Sequence, residues 1–152
     1  MSKRLLIVYH TQSGNTGRMA EAVLRGARRS EDTDTVLKRA FDTVLEDLLA
    51  CQGLLIGTPE NFGTMSGAIK DFFDRTYYPA EGKTVGLPYA VFVSAGNDGS
   101  GAVTQIERIA TGYGWKRVAD PLIARHAVTD EDIGRCEELG EAMAAGIALG
   151  IF

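Results

Sequence analysis

The chain has 152 residues, of which 45% are hydrophobic and 24% charged, so it can form one globular domain with a substantial core. The formal net charge of −4 argues against nucleic acid or an anionic membrane surface as the main partner. No apolar run is long enough to cross a membrane, and Cys51 and Cys136 have neither a metal-ligand spacing nor the pattern of a disulfide framework.

Apolar runs alternate with helical patterns along the whole chain, and no break in composition marks a domain boundary. We therefore expect a single domain, residues 1–152, with a parallel sheet covered by helices on both faces, a three-layer αβα sandwich. The first strand begins within a few residues of the N-terminus, without the pattern of a signal peptide, which predicts a cytoplasmic protein. The predicted strands are 4–10, 34–39, 53–57, 89–93 and 115–122, and the predicted helices are 16–29, 43–50, 66–77, 102–113 and 130–150.

The distribution of charge among the strands predicts their order. The first, third and fourth runs are apolar throughout, as strands covered on both faces must be. The second carries Lys38 and Arg39, and the fifth carries Lys116 and Arg117 and ends near Pro121. Charge and proline are tolerated on edge strands, so the pattern predicts a five-stranded sheet of order 2-1-3-4-5.

Three polar loops would then meet at the carboxyl edge of this sheet. The first, Thr11–Thr16, joins a strand to a helix and contains hydroxyls, amides and one glycine, but no Lys or Arg. A sharp strand-to-helix turn directs several backbone N–H groups and the positive end of the helix dipole toward one point. The loop therefore predicts a phosphate site based on hydrogen bonds.

The other two loops have residues suited to a planar ligand. In Thr58–Thr64, Asn61 offers a donor and an acceptor, Phe62 offers a flat apolar surface, and Gly63 permits a close approach. Ser94–Gly101 contains three glycines, and its N–H groups can form a nest for a polar ring edge. Each loop alone is ordinary turn sequence, and it is their joint occurrence at one crevice that predicts a binding site.

These loops carry a family resemblance. Thr11-Gln12-Ser13-Gly14-Asn15-Thr16 resembles the phosphate loop of flavodoxins, whose pattern is Thr-x-Ser/Thr-Gly-x-Thr. The segment 58–67, with Lys70 and the helix at 72–74, is similar to the flavin loop of NAD(P)H:quinone reductases and NADPH-dependent FMN reductases. The resemblance covers roughly residues 5–152 and implies a flavodoxin-like fold with FMN as cofactor. The cofactor-binding residues that it implies are Thr11, Gln12, Ser13, Gly14, Asn15 and Thr16 in the phosphate loop, Pro59, Glu60, Asn61, Phe62 and Gly63 beside the isoalloxazine, and Ser94, Gly96, Asn97 and Gly99 at the pyrimidine edge and ribityl chain.

The resemblance implies an oxidoreductase that passes electrons from NAD(P)H through FMN to a quinone, a flavin or another small acceptor. Because the flavin supplies the chemistry, this function needs no titratable catalytic side chain and no metal. The alternative is a flavodoxin-type carrier between redox proteins, and a regulatory protein with FMN as a structural ligand also stays open. A homodimer is compatible with the resemblance, since some related reductases build their site across a dimer interface.

Two features argue against the carrier. Short-chain flavodoxins place Trp and Tyr on the two flavin faces and are usually far more acidic than this chain. Here the sole tryptophan, Trp115, begins an edge strand at the opposite end of the sheet from the three loops. Tyr77 and Tyr78 are candidates to cover the dimethylbenzene end of the flavin.

Other folds with a similar order of elements do not match the residues. A signalling receiver domain requires an acceptor Asp at the end of the third strand, where this chain has Gly57-Thr58-Pro59. A dinucleotide-binding domain requires G-x-G-x-x-G after the first strand, and Ser13-Gly14-Asn15-Thr16-Gly17 does not supply it.

The histidines, the cysteines and Arg18 are chemically reactive or charged residues for which the sequence does not predict a catalytic role. We expect His10 and His126 to lie apart, and Cys51 and Cys136 to be small core residues rather than redox thiols. Arg18 is expected to be solvated. Glu60 is the one carboxylate that a flavin could desolvate.

Overall fold

The computed structural model describes residues 2–152 and has a parallel sheet whose order follows the prediction. The order is β2-β1-β3-β4, followed by β5 and β6, which both pair with β4. The predicted order 2-1-3-4-5 and the αβα architecture are thus confirmed, with the fifth strand in two segments. The strands are β1 (Lys3–Tyr9), β2 (Thr33–Arg39), β3 (Gly53–Pro59), β4 (Pro88–Ala95), β5 (Lys116–Arg117) and β6 (Leu122–Arg125), and the helices are α1 (Asn15–Ala27), α2 (Leu45–Ala50), α3 (Gly67–Ala80), α4 (Ser100–Tyr113) and α5 (Asp130–Leu149).

The prediction of one continuous fifth strand over 115–122 is wrong. β5 pairs with Pro88 and Tyr89, and the chain rejoins the sheet only at Leu122, opposite Phe92. Pro121 lies in the gap and has no N–H to donate to a ladder, so the strand is interrupted there. The interruption is tolerated because no further strand pairs on this edge within residues 2–152.

The core lies in two layers, one on each face of the sheet. On one face, side chains of β1, β3 and β4 pack against α3 and α4, where Phe72, Phe73 and Ile106 are buried. On the other face, Met19 of α1 and Met143 of α5 pack against the same strands. The three central strands are apolar throughout because both of their faces are covered.

The helices α1 and α5 approach each other closely through two glycines. A Cβ built on Gly140 of α5 would lie 2.0 Å from the carbonyl oxygen of Val23. One built on Gly26 of α1 would lie 1.8 Å from the carbonyl oxygen of Glu137. Because neither position leaves room for a methyl group, the pair of helices depends on both glycines.

The carboxyl ends of the strands meet at one edge, and aromatic residues collect at the other. α3 starts at the carboxyl edge and runs back, so Tyr77 and Tyr78 lie at the amino edge. There the ring centroids of Tyr77 and Tyr113 lie 5.1 Å apart, and those of Tyr113 and Trp115 lie 4.3 Å apart. The expectation that Tyr77 or Tyr78 covers a ligand at the carboxyl edge is therefore wrong, whereas Trp115 is at the predicted end.

No helix within residues 2–152 has both the length and the apolar composition needed to span a membrane.

Candidate functional site

A cavity of about 510 Å³ lies at the carboxyl edge, where the three predicted loops converge. It is bounded by the loops that follow β1, β3 and β4, together with the loop that follows β6. The sequence predicted the first three of these loops but not the fourth. The lining residues are Gln12, Ser13, Asn15, Pro59, Glu60, Asn61, Ser94, Ala95, Gly96, His126 and Ala127.

The first loop ends in a helix whose N-terminus is open. Gly14 occupies the N-cap position with φ 101, in the left-handed region, and its N–H donates to Thr11 Oγ1 at 3.1 Å. No side chain of residues 2–152 caps the helix, and its first turn has no acidic residue. The N–H groups of the first turn and the positive end of the helix dipole are therefore available to an anion.

Two residues of the first loop line an adjoining groove rather than the cavity. Thr11 and Gly14 face this groove together with Arg18 and Arg39. Arg18, which was expected to be solvated, has a partner, because its Nη1 donates to the carbonyl oxygen of Val128 at 3.4 Å.

Thr16 and Ser94 are joined by a buried hydrogen bond. Their hydroxyl oxygens lie 2.7 Å apart, and the two residues are 1% and 6% exposed. Thr16 is in the first turn of α1, and Ser94 is near the end of β4. The sequence predicts both residues as ligand-binding. In the structure, the bond between their hydroxyls links the first loop to the central sheet.

The second loop carries a tight turn at its tip. Asn61 and Thr64 exchange backbone hydrogen bonds of 2.8 and 3.0 Å, and both residues between them, Phe62 and Gly63, have positive φ. The Asn61 amide also donates to Gln12 Oε1, which ties this loop to the first one. Phe62 is fully exposed at the tip, so its ring projects away from the protein surface rather than into the core.

Glu60 fastens the second loop to α4. Its Oε1 accepts from the N–H of Gly99 at 2.9 Å, and its Oε2 accepts from the N–H of Ala102 at 3.2 Å. The carboxylate therefore satisfies N–H groups at the start of a helix and lies at the positive end of the helix dipole. This contact gives Glu60 a structural role that sequence reasoning did not anticipate.

The third loop packs against the second through a glycine. A Cβ built on Gly101 would lie 2.2 Å from the carbonyl oxygen of Gly63. Gly96 lines the cavity, and Asn97 is exposed beside it. Gly99 has φ 86 and forms the N-cap of α4.

The two histidines lie apart, as expected, but one of them borders the cavity. His126 follows β6 with φ 65, and its backbone N–H donates to the carbonyl oxygen of Ala95 at 2.8 Å. His10 instead packs edge-on against Phe41, and burial, aided by Arg39, lowers its pKa. The sequence signal for His126 was its place after the fifth predicted strand, since parallel strands end at the same edge of the sheet as the three loops.

The two thiols are buried, as the sequence predicted. Desolvation raises the pKa of Cys51 and of Cys136 to about 12, which keeps both protonated near neutral pH.

Comparisons with known proteins bear on this geometry. The family model described as NADPH-dependent FMN reductase matches residues 24–128. A protein named flavodoxin from Aquifex aeolicus (strain VF5) is 31% identical, over 96% of this chain and 88% of that protein. A protein named NAD(P)H dehydrogenase (quinone) from Syntrophus aciditrophicus (strain SB) is 28% identical, over 95% of this chain and 85% of that protein.

Solved structures agree with these matches. A structure described as a flavodoxin from the domain Archaea superimposes with a TM-score of 0.86 at 26% identity, and the match covers 95% of this chain and 98% of that one. The family model covers more than half of the chain, and the fold is that of the structural relative. The chain therefore belongs to the flavodoxin-like family of NADPH-dependent FMN reductases.

Proposed function

We propose that residues 1–152 form a single FMN-binding domain that passes electrons from NAD(P)H through the flavin to a quinone, a flavin or another small acceptor. The observation that carries the proposal is the uncapped N-terminus of α1 at one side of the 510 Å³ cavity. A cavity of this size falls within the range of about 300–1,000 Å³ that is typical of small-molecule sites. The family model and the relatives named as a flavodoxin and a quinone dehydrogenase support FMN as the ligand.

The residues at the cavity fit the parts of FMN. The first turn of α1 offers N–H groups to a phosphate and itself contains no acidic residue. Pro59 of the second loop and Gly96 of the third both line the cavity, so a planar ring bound there would lie against both loops. Asn61 and Gln12, which are hydrogen-bonded to each other, line the cavity with amide groups that offer donors and acceptors to polar atoms of a ring.

The protein contributes binding and orientation. Bound FMN would supply the electron-transfer chemistry, since flavins accept and donate electrons in steps that side chains cannot perform. Glu60 holds the second loop against α4, and the Thr16–Ser94 bond holds α1 against β4, so the walls of the cavity are fixed before a ligand enters. Such preorganisation lowers the cost of ordering the site on binding.

The experiment is an FMN titration of the purified protein, followed by anaerobic addition of NADPH while the visible spectrum is recorded. We expect FMN to bind and its visible absorbance to bleach on addition of NADPH. FMN binding without any response to NADPH or NADH would contradict the reductase, and failure to bind FMN would contradict the cofactor site.

A flavodoxin-type electron carrier is the second candidate. It is favoured by the relative named flavodoxin and by the fully exposed ring of Phe62, which a protein partner could cover. Such a carrier would accept electrons from a redox protein and not from NADH or NADPH. Parallel reduction assays with NADPH and with a reduced ferredoxin therefore separate the two candidates.

A further inference from the structure

We propose that His126 is an additional ligand of the cofactor phosphate, to which its imidazole donates a hydrogen bond. The inference rests on the proposed FMN site and adds to it a residue from outside the three predicted loops. It also gives a function to the loop between β6 and α5, which contains none of the predicted cofactor-binding residues.

The position of His126 is set by the sheet. Arg125 at the end of β6 is in register with Ala95 at the end of β4, so the next residue leaves the sheet at its carboxyl edge. The N–H of His126 then donates to the carbonyl oxygen of Ala95 at 2.8 Å. His126 thereby lines the same cavity as Ser13 and Asn15 of the first loop.

The loop that carries His126 also lies against the start of α1. Arg18, in the first turn of α1, donates to the carbonyl oxygen of Val128 at 3.4 Å. α1 and α5 pack closely along their length, with Gly26 against Glu137 and Gly140 against Val23. His126 therefore flanks the same N-terminus that is proposed to bind the phosphate.

The backbone of His126 supports a role at the cavity. Its φ of 65 lies in the left-handed region, which is uncommon for a residue other than glycine. The hydrogen bond to Ala95 uses the backbone N–H, so the ring nitrogens keep their own donor and acceptor, and the residue is exposed. The structure thus holds an unusual backbone conformation at a residue that lines the cavity.

The chemistry matches a phosphate ester. The first loop, Thr11–Thr16, has no Lys or Arg, and the guanidinium of Arg18 is bonded to Val128. An imidazole N–H would give the anionic phosphate a charge-assisted hydrogen bond, which is stronger than a neutral one. Riboflavin, which lacks the phosphate, would not receive this bond.

The test compares FMN with riboflavin in variants that keep the backbone conformation. His126→Asn and His126→Gly both tolerate a left-handed φ, and both remove the imidazole. We expect His126→Gly to weaken FMN binding about tenfold or more, with a smaller loss for His126→Asn, whose amide can still donate. Riboflavin affinity should stay within about twofold in both variants. His10→Asn is the matched control, because His10 packs against Phe41, and it should leave both affinities within about twofold.

A second measurement uses the unaltered protein. In the NMR spectrum of the apoprotein, the imidazole signals of His126 should shift on addition of FMN and shift much less on addition of riboflavin. Equal weakening of both flavins, or unchanged FMN affinity in His126→Gly, would overturn the phosphate contact. If the unaltered protein binds neither flavin, the proposed cofactor site itself is wrong, which is a different result from a failure of His126 alone.

Discussion

The hydroxyl of Thr16 lies 2.7 Å from that of Ser94, and this buried pair connects the first turn of α1 to the end of β4. Both residues belong to loops that the sequence predicts as ligand-binding. The bond fixes the distance between those loops, because neither residue can move without leaving a polar atom unpaired in the interior.

Replacing Thr16 with Val should therefore destabilise the protein by about 1–3 kcal/mol, because Ser94 Oγ would be left buried without its partner. Adding Ser94→Ala should recover part of this loss, since the unpaired hydroxyl is then gone. Urea unfolding of the two single variants and the double variant measures the coupling. Strictly additive losses would show that the two hydroxyls do not interact.

Glu60 provides a prediction about the second loop. Glu60→Ala removes the acceptors for the N–H groups of Gly99 and Ala102 at the start of α4 and should cost about 1–2 kcal/mol of unfolding free energy. Glu60→Gln keeps one acceptor but loses the charge, so its cost should be smaller. Chemical denaturation of both variants checks the order. If both variants lost the same unfolding free energy, the acceptor that Glu60→Gln keeps would contribute nothing to stability.

The contact between Gly101 and the second loop leads to a prediction about FMN affinity. Gly101→Ala would place a methyl group 2.2 Å from the carbonyl oxygen of Gly63, so the tip of the loop must move. On the proposed function, FMN affinity should fall at least about fivefold, because the ring then meets a displaced wall. Gly112→Ala in the same helix is the control, since its nearest neighbour is 3.7 Å away, and it should leave FMN affinity unchanged. A normal affinity in Gly101→Ala would show that the loop is free to shift.

The cysteines predict both reactivity and pH dependence. The pKa of each buried thiol is raised to about 12, so the native protein should react very slowly with a thiol reagent at pH 8, and both cysteines should react once urea unfolds the chain. Rapid native reaction would contradict their burial. Because the unfolded thiols ionise near pH 8.5–9, their contribution to stability is fully present below that pH. It should then be lost as the pH rises toward about 12.

Much of the fold follows from the pattern of charge and hydrophobicity. The runs at β1, β3 and β4 are apolar and form the centre, while Lys38, Arg39, Lys116 and Arg117 lie on the outer strands. These features are visible in sequence because burial on two faces excludes charge. The break between β5 and β6 was missed, since a single proline does not reveal how far the chain leaves the sheet before it returns.

The site was predictable only in part. The loops after β1, β3 and β4 could be identified because their composition is unusual and the strand order brings them together. The contact of Glu60 with α4 and the approach of His126 to the cavity depend on tertiary distances between residues far apart in the chain. A local sequence pattern contains no information about such distances. For this reason the sequence identifies Glu60 only as a carboxylate that a flavin could desolvate.

The close packing of α1 against α5 has a consequence for the cooperativity of the fold. The surface that covers Gly26 of α1 lies on α5 (Asp130–Leu149), so the helix that follows the loop at 11–16 is held in place by a segment far from it in sequence. A change that loosens α5 should therefore also uncover α1 and disturb that loop, which contains no residue of α5. We expect the two helices to open as one unit, with similar protection from hydrogen exchange.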